Sequence, residues 1–281
     1  MKLNRASPPL LQAARAIFFV ACAGTAHAHD TWFEALSGNA APGGTRLLAL
    51  GTGNQVPVHE FAVAPNALVR QGCVDADGRS RALQPQLQLP TKLLLRTTAA
   101  GALSCWAQLV PFDIDLPADK LGIYFDEIRP SPEVLAAWAS MQARGLPWRE
   151  RYVKHARIEL PGNAAAAGAA VPVPAPSPLG MDLLLLADPG QVQAGDTLNF
   201  QLLRDGKPLP GLALELRSEA GAGVGKDGIW GQTDSAGQVR LTVPKAGAWV
   251  LRGTELRVST EDPARWDSRF ITLAFQVQPK P

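Results

Sequence analysis

Between residues 181 and 278 the chain divides into short apolar runs, each closed by a turn signal. The runs are Leu183–Leu186, Thr197–Leu203, Ala213–Arg217, Ile229–Thr233, Gln238–Val243, Ala248–Arg252 and Phe270–Val277. Ala194-Gly195-Asp196, Arg204-Asp205-Gly206-Lys207 and Asp234-Ser235-Ala236-Gly237 separate them with residues that accept turn dihedrals. Runs this short make poor helices but ordinary strands. Seven of them at regular spacing predict an immunoglobulin-like β-sandwich over 181–278.

Residues 29–161 read as a second, β-rich domain with one helix. Thr45–Leu50, Ala67–Gln71, Leu87–Leu89, Lys92–Thr97 and Ser104–Leu109 are β-leaning runs cut by Gly, Pro, Asn and Asp. The helix is predicted near 131–144, where Ser131 can cap, Pro132 suits the first turn and Glu133 meets the positive end. Gly145 and Pro147 stop it. From Tyr152 to Leu160 the pattern has a period of two, as a strand does. Residues 162–180 follow, an uncharged Ala/Gly tract and then four prolines, which read as a semi-extended linker. The fold class expected is therefore mainly β.

The first 28 residues read as a signal peptide. Lys2, Arg5 and Arg15 precede a brief apolar run, and Ala26-His27-Ala28 supplies a small-x-small cleavage site. A periplasmic location is expected. Cys22 raises lipid anchoring, but Phe19 stands where a lipoprotein signal normally carries leucine, so the cleaved form is the default. Without this segment the charge is 24 basic against 25 acidic residues, about −1. That balance argues against nucleic acid as a partner. No segment of the mature chain approaches the roughly 20 apolar residues of a spanning helix. Cys73 and Cys105 are the only mature cysteines, and in an oxidising compartment they predict a structural disulfide.

Several segments, taken in order, resemble one family. They are His29-Asp30-Thr31-Trp32-Phe33-Glu34, Leu116-Pro117-Ala118-Asp119-Lys120 with Tyr124, and Trp148-Arg149-Glu150-Arg151-Tyr152-Val153-Lys154-His155-Ala156. Gly206-Lys207-Pro208-Leu209, Thr233-Asp234-Ser235-Ala236-Gly237 and Thr272-Leu273-Ala274-Phe275 complete the pattern. The chain is similar to the bacterial envelope family described as domain of unknown function 4198, at times labelled a nickel-uptake component. The resemblance implies a periplasmic two-part β protein, sometimes associated with transition-metal uptake, without an established catalytic motif. Some relatives carry a histidine near the last strands, where this chain has Arg252-Gly253-Thr254-Glu255-Leu256-Arg257.

Four histidines are available for chemistry: His27, His29, His59 and His155. Cleavage after Ala28 gives His29 a free α-amine beside its imidazole, and His59 or His155 could complete a three-nitrogen set suited to copper. Cleavage after Ala26 instead exposes His27-Ala28-His29, whose amine, amides and third-position imidazole favour square-planar Cu(II) or Ni(II). His59, beside Glu60, is otherwise expected to be a surface residue. His155, among Arg149, Arg151, Lys154 and Arg157, is otherwise expected on a solvated basic face. Gly51-Thr52-Gly53 lacks the lysine and helix of a phosphate loop. Asp113 and Asp115 share a strand face without an oxygen-ligand cluster around them, so exposed positions are expected. No serine elbow or free mature cysteine is present as a nucleophile.

The leading expectation is a non-enzymatic exported protein that binds nickel, cobalt or copper for uptake or buffering. Its partner would be a metal-uptake transporter or another envelope protein. A metal-free envelope adaptor or carbohydrate-binding module is the alternative, and a histidine-brace copper oxidative enzyme the third.

Overall fold

The computed structural model describes residues 29–36, 44–99, 101–162, 176–218 and 228–280. The expected signal, with Cys22 and His27, and most of the expected linker lie outside these residues. The first half contains β1 (Asp30–Ala35), β2 (Thr45–Gly53), β3 (Phe61–Ala62), β4 (Leu68–Asp75), β5 (Ser80–Arg81), β6 (Gln84–Gln88), β7 (Leu93–Thr98), β8 (Leu103–Leu109) and β9 (Phe112–Leu116). Helices α1 (Leu121–Ile128) and α2 (Pro132–Ala143) lead into the long strand β10 (Trp148–Leu160). The second half adds β11 (Met181–Leu185), β12 (Thr197–Arg204), β13 (Lys207–Pro208), β14 (Ala213–Ser218), β15 (Ile229–Gln232), β16 (Gln238–Thr242), β17 (Gly247–Val258) and β18 (Trp266–Val277).

The chain is mainly β, as its punctuation predicts. A nine-stranded sheet runs β15-β14-β17-β18-β10-β8-β4-β5, with β9 also on β10. Strands from both sides of the Ala/Pro-rich stretch share it, because β10 pairs in parallel with β18, Ala156 opposite Thr272.

Side-chain alternation shows why this sheet lies in the middle. On β18, Ile271, Leu273, Phe275 and Val277 enter one core with Met181, Leu183, Phe200, Leu202 and Val239. That core sits under a four-stranded sheet of β11, β12, β13 and β16, completing the expected sandwich. The residues between them face the other way. Ala274, with Ile158 of β10 and Cys105 of β8, packs on Trp32, Phe33, Leu48, Leu50 and Leu93. Those belong to a five-stranded sheet of β1, β2, β3, β6 and β7. The central sheet is thus covered on both faces.

The helices close the remaining part of the second face. Trp148 of β10 stacks on Trp266 of β18 with ring centroids 4.9 Å apart, and Tyr124, Ile128, Trp138 and Met141 pack over them. Helix α2 starts as predicted, with Ser131 accepting from the Val134 amide at 3.4 Å and Pro132 in the first turn. Helix α1 is a second helix where one was expected. It has no side-chain cap, and its Leu121, Tyr124 and Ile128 are held by tertiary burial instead. Cys73 and Cys105 are directly opposed on β4 and β8 and form the expected disulfide.

Candidate amino-terminal histidine site

Three successive residues fasten the head of β1 to the central sheet. The His29 carbonyl accepts from Lys154 Nζ at 2.6 Å, and the Thr31 carbonyl accepts from Thr272 Oγ1 at 2.6 Å. Between them, the Asp30 carboxylate pairs with Arg252 Nη1 at 2.5 Å. Burial holds the Lys154 ammonium down to a pKa of about 8, with Asp30 opposing the shift.

The His29 ring rises from this anchor towards the β2–β3 connection and remains 27% exposed. Its Nε2 lies 3.4 Å from Glu60 Oε2 and 3.3 Å from the Asn54 carboxamide nitrogen, and its edge meets the Phe61 ring. Glu60 is itself fixed, because its Oε1 accepts from the Asn54 amide at 3.1 Å. The Asn54 carboxamide nitrogen donates and the Glu60 carboxylate accepts, so the first contact suits a bare Nε2 and the second a protonated one.

A buried charge circuit lies beneath. Arg252 Nε donates to Glu215 Oε2 at 2.7 Å, and Arg217 Nε lies 2.9 Å from Glu215 Oε1. Arg217 Nη1 closes the circuit on the Asn54 carbonyl at 3.3 Å. Trp230 lies opposite Glu215 in the ladder, and the Arg129 guanidinium sits 3.8 Å above its ring. Arg129 holds a left-handed backbone (φ 45°) at the end of α1, a conformation costly for a residue with a Cβ.

The other two histidines are placed differently from expectation. His59 is buried rather than a surface residue. Its ring lies tilted 4.7 Å from the Trp32 ring and over Gly51, where a Cβ would fall 2.4 Å from His59 Cγ. Among the described residues neither ring nitrogen has a hydrogen-bond partner, and Glu34 Oε2 is 3.9 Å away. Burial lowers its pKa to about 4 despite the Glu34 charge. His155 is also buried rather than on a solvated face. It points to the opposite side of the sheet from Lys154, and its Nδ1 meets the Phe270 carbonyl at 3.1 Å. Burial lowers its pKa to about 4 as well. The three histidines therefore share no site. Among the described residues no group of three or more His, Cys, Asp or Glu side chains could hold a metal ion. Asp113 is exposed, as expected, and forms a two-pronged ion pair with Arg151.

These shifts predict acid sensitivity. A buried histidine with a depressed pKa contributes stability that is complete above the unfolded value of 6.5. That contribution is lost as pH falls through about 4. His155→Gln is expected to remove about 3 kcal/mol of the stability difference between pH 7 and pH 4. Urea unfolding at both pH values checks this, and an unchanged difference contradicts it.

Sequence reading missed Lys154, Glu215, Arg217 and Arg252 as partners of the amino-terminal segment. The available signal was charge inside apolar strands: Glu215 and Arg217 interrupt Leu214-x-Leu216, and Arg252 follows Val250-Leu251.

Fold and site together define a layered β protein that exposes one polar histidine at the fastened head of its first described strand. A family model confirms the resemblance of the sequence. Domain of unknown function (DUF4198) matches residues 26–254, and the chain belongs to that family. No curated protein matches it.

Proposed function

We propose that this chain is an exported, non-enzymatic periplasmic protein that binds a transition-metal ion at His29. Cleavage after Ala28 would put an α-amine beside the one histidine of the three whose ring reaches solvent. The placement of that ring carries the reading: Nε2 is turned to Glu60 and Asn54, and a metal held by Nδ1 with the residue's own amine would fix the ring proton on Nε2, where Glu60 accepts it. Glu60 is then the outer partner that orients the ring and raises its basicity. Amine and imidazole nitrogens suit copper, nickel or cobalt, and uptake or buffering, with a metal-uptake transporter or another envelope protein as partner, is the role that fits.

Titration of the mature protein with Cu(II) and Ni(II) tests the site. One alanine placed before His29 should weaken binding at least about tenfold by separating amine from imidazole, and Glu60→Gln should weaken it about tenfold. Equal affinity of the extended form overturns the site.

A second reading, a metal-free envelope adaptor or recognition module, is favoured by the separation of the three histidines. It is also favoured by a cavity of about 590 Å³ further along β1, within the usual size range of ligand clefts. The oxidative-enzyme alternative draws no support from buried His59 and His155.

A further inference from the structure

Strand β1 has β2 on one edge, and no described strand pairs with the other. In an antiparallel ladder, alternate residues turn both backbone groups to the partner, and those between turn both away. The Leu36 amide bonds the Leu47 carbonyl, so the even-numbered residues of this segment face β2. The odd-numbered residues face the open edge, and the carbonyls of His29 and Thr31 already take side-chain donors there. By the same alternation, the amide and carbonyl groups of Phe33 and Ala35 point into the open edge. Both residues line the 590 Å³ cavity, whose other walls include Pro57, Val250, Ala274 and Gln276.

We propose that this cavity is a strand-accepting groove for an extended polypeptide segment of a partner protein. The segment would pair with the backbone of Phe33 and Ala35 and add a sixth strand to the outer sheet. Two donor–acceptor sets on one edge, two residues or about 7 Å apart, match the repeat of an extended chain. Val250 and Ala274 on the central sheet form a small apolar floor, which suits short apolar side chains at alternate positions. The ionisable residues of the lining are Glu34 and Glu159. Glu159 already pairs with Arg157 and Glu34 with Lys92, so uncharged side chains suit the positions that enter the groove. An unpaired edge beside an apolar floor is the arrangement that strand addition requires. The inference rests on the second reading, recognition without metal, and is independent of His29.

The test uses the mature full chain and the peptide acetyl-Lys-Val-Thr-Val-Thr-Val-amide. Its twin carries N-methyl groups on the residues whose amides would face β1. The plain peptide should bind and slow amide exchange at Phe33 and Ala35 at least tenfold, and the twin should bind at least tenfold more weakly. Ala35→Pro removes an outward amide without touching the β2 ladder, and should abolish peptide binding while the circular dichroism spectrum is kept. Equal binding by the twin overturns strand addition but leaves the groove as a recognition surface. Failure of both peptides to bind or to alter exchange at Phe33 and Ala35 overturns the peptide occupant. Loss of binding by a cavity-filling Ala248→Trp variant then distinguishes recognition at the groove from binding elsewhere for a peptide that binds without slowing those amides, an outcome that also overturns strand addition.

Discussion

Replacing Arg157 by methionine is expected to lower the unfolding free energy by about 3–5 kcal/mol at neutral pH. Arg157 is fully buried. Its Nε donates to Glu159 Oε1 at 2.6 Å, and its Nη1 meets both oxygens of Asp182 at 3.0 and 3.1 Å. Ser104 donates to the same Glu159 carboxylate, and the Ser177 amide donates to Asp182. Methionine fills similar space but leaves two carboxylates without their cation. Burial already pushes the Glu159 pKa up against the pull of Arg157. The variant should therefore recover part of its loss on mild acidification, when the stranded carboxyls take protons. Replacing Glu159 and Asp182 by leucine in the same chain should restore most of the stability, because burying a charge pair is itself costly. Urea denaturation of the single and triple variants measures all three effects. A single-variant loss below about 1 kcal/mol would show that the pair is replaceable as it stands.

Arg252→Met is expected to cost a similar amount, about 3–5 kcal/mol, with a different local signature. Here the carboxylates that lose Arg252 are Asp30 and Glu215, from β1 and β14, of which Glu215 keeps Arg217. Arg252 fastens the head of β1, so the amides of Asp30 and Thr31 should exchange faster before the rest of the sheet is affected. The metal affinity proposed for His29 should fall with them, because the anchor beneath the ring is loosened. Arg157→Met should leave both local readouts unchanged. Uniform acceleration of exchange in the Arg252 variant would show that the contact stabilises the whole fold without a special hold on β1.

The strands were legible because their ends carry turn chemistry. Asp234-Ser235-Ala236-Gly237, for example, precedes β16, with Gly237 at φ 69° where a Cβ would meet the Leu202 carbonyl at 2.7 Å. Helix α2 was legible from Ser131 and Pro132. Helix α1 was not, because Leu121–Ile128 is short, contains Gly122 and has no side-chain cap. The environment of β10 was hidden for another reason. Its alternation of Lys154, Ala156 and Ile158 with His155, Arg157 and Glu159 resembles a strand with a wet face. In the fold both faces are covered, and the second is neutralised by Asp182, which follows the proline stretch. A charge paired far along the chain looks like a solvated charge in sequence. His59 was hidden by the fold-back of β3 onto β2, which brings its ring over Gly51 beside Trp32.

The parallel contact between β10 and β18 also sets an order of events. β18 occupies an interior place in the nine-stranded sheet, with β10 on one side and β17 on the other, yet it comes after every other described strand in the chain. Earlier strands can form hairpins and ladders, but the two flanks of the sheet have no seam until residues 266–277 arrive. Contacts between β10 and β18 span more than 100 residues, and such distant pairings form slowly. The nascent chain thus lacks a completed central sheet until residues 266–277 have been made.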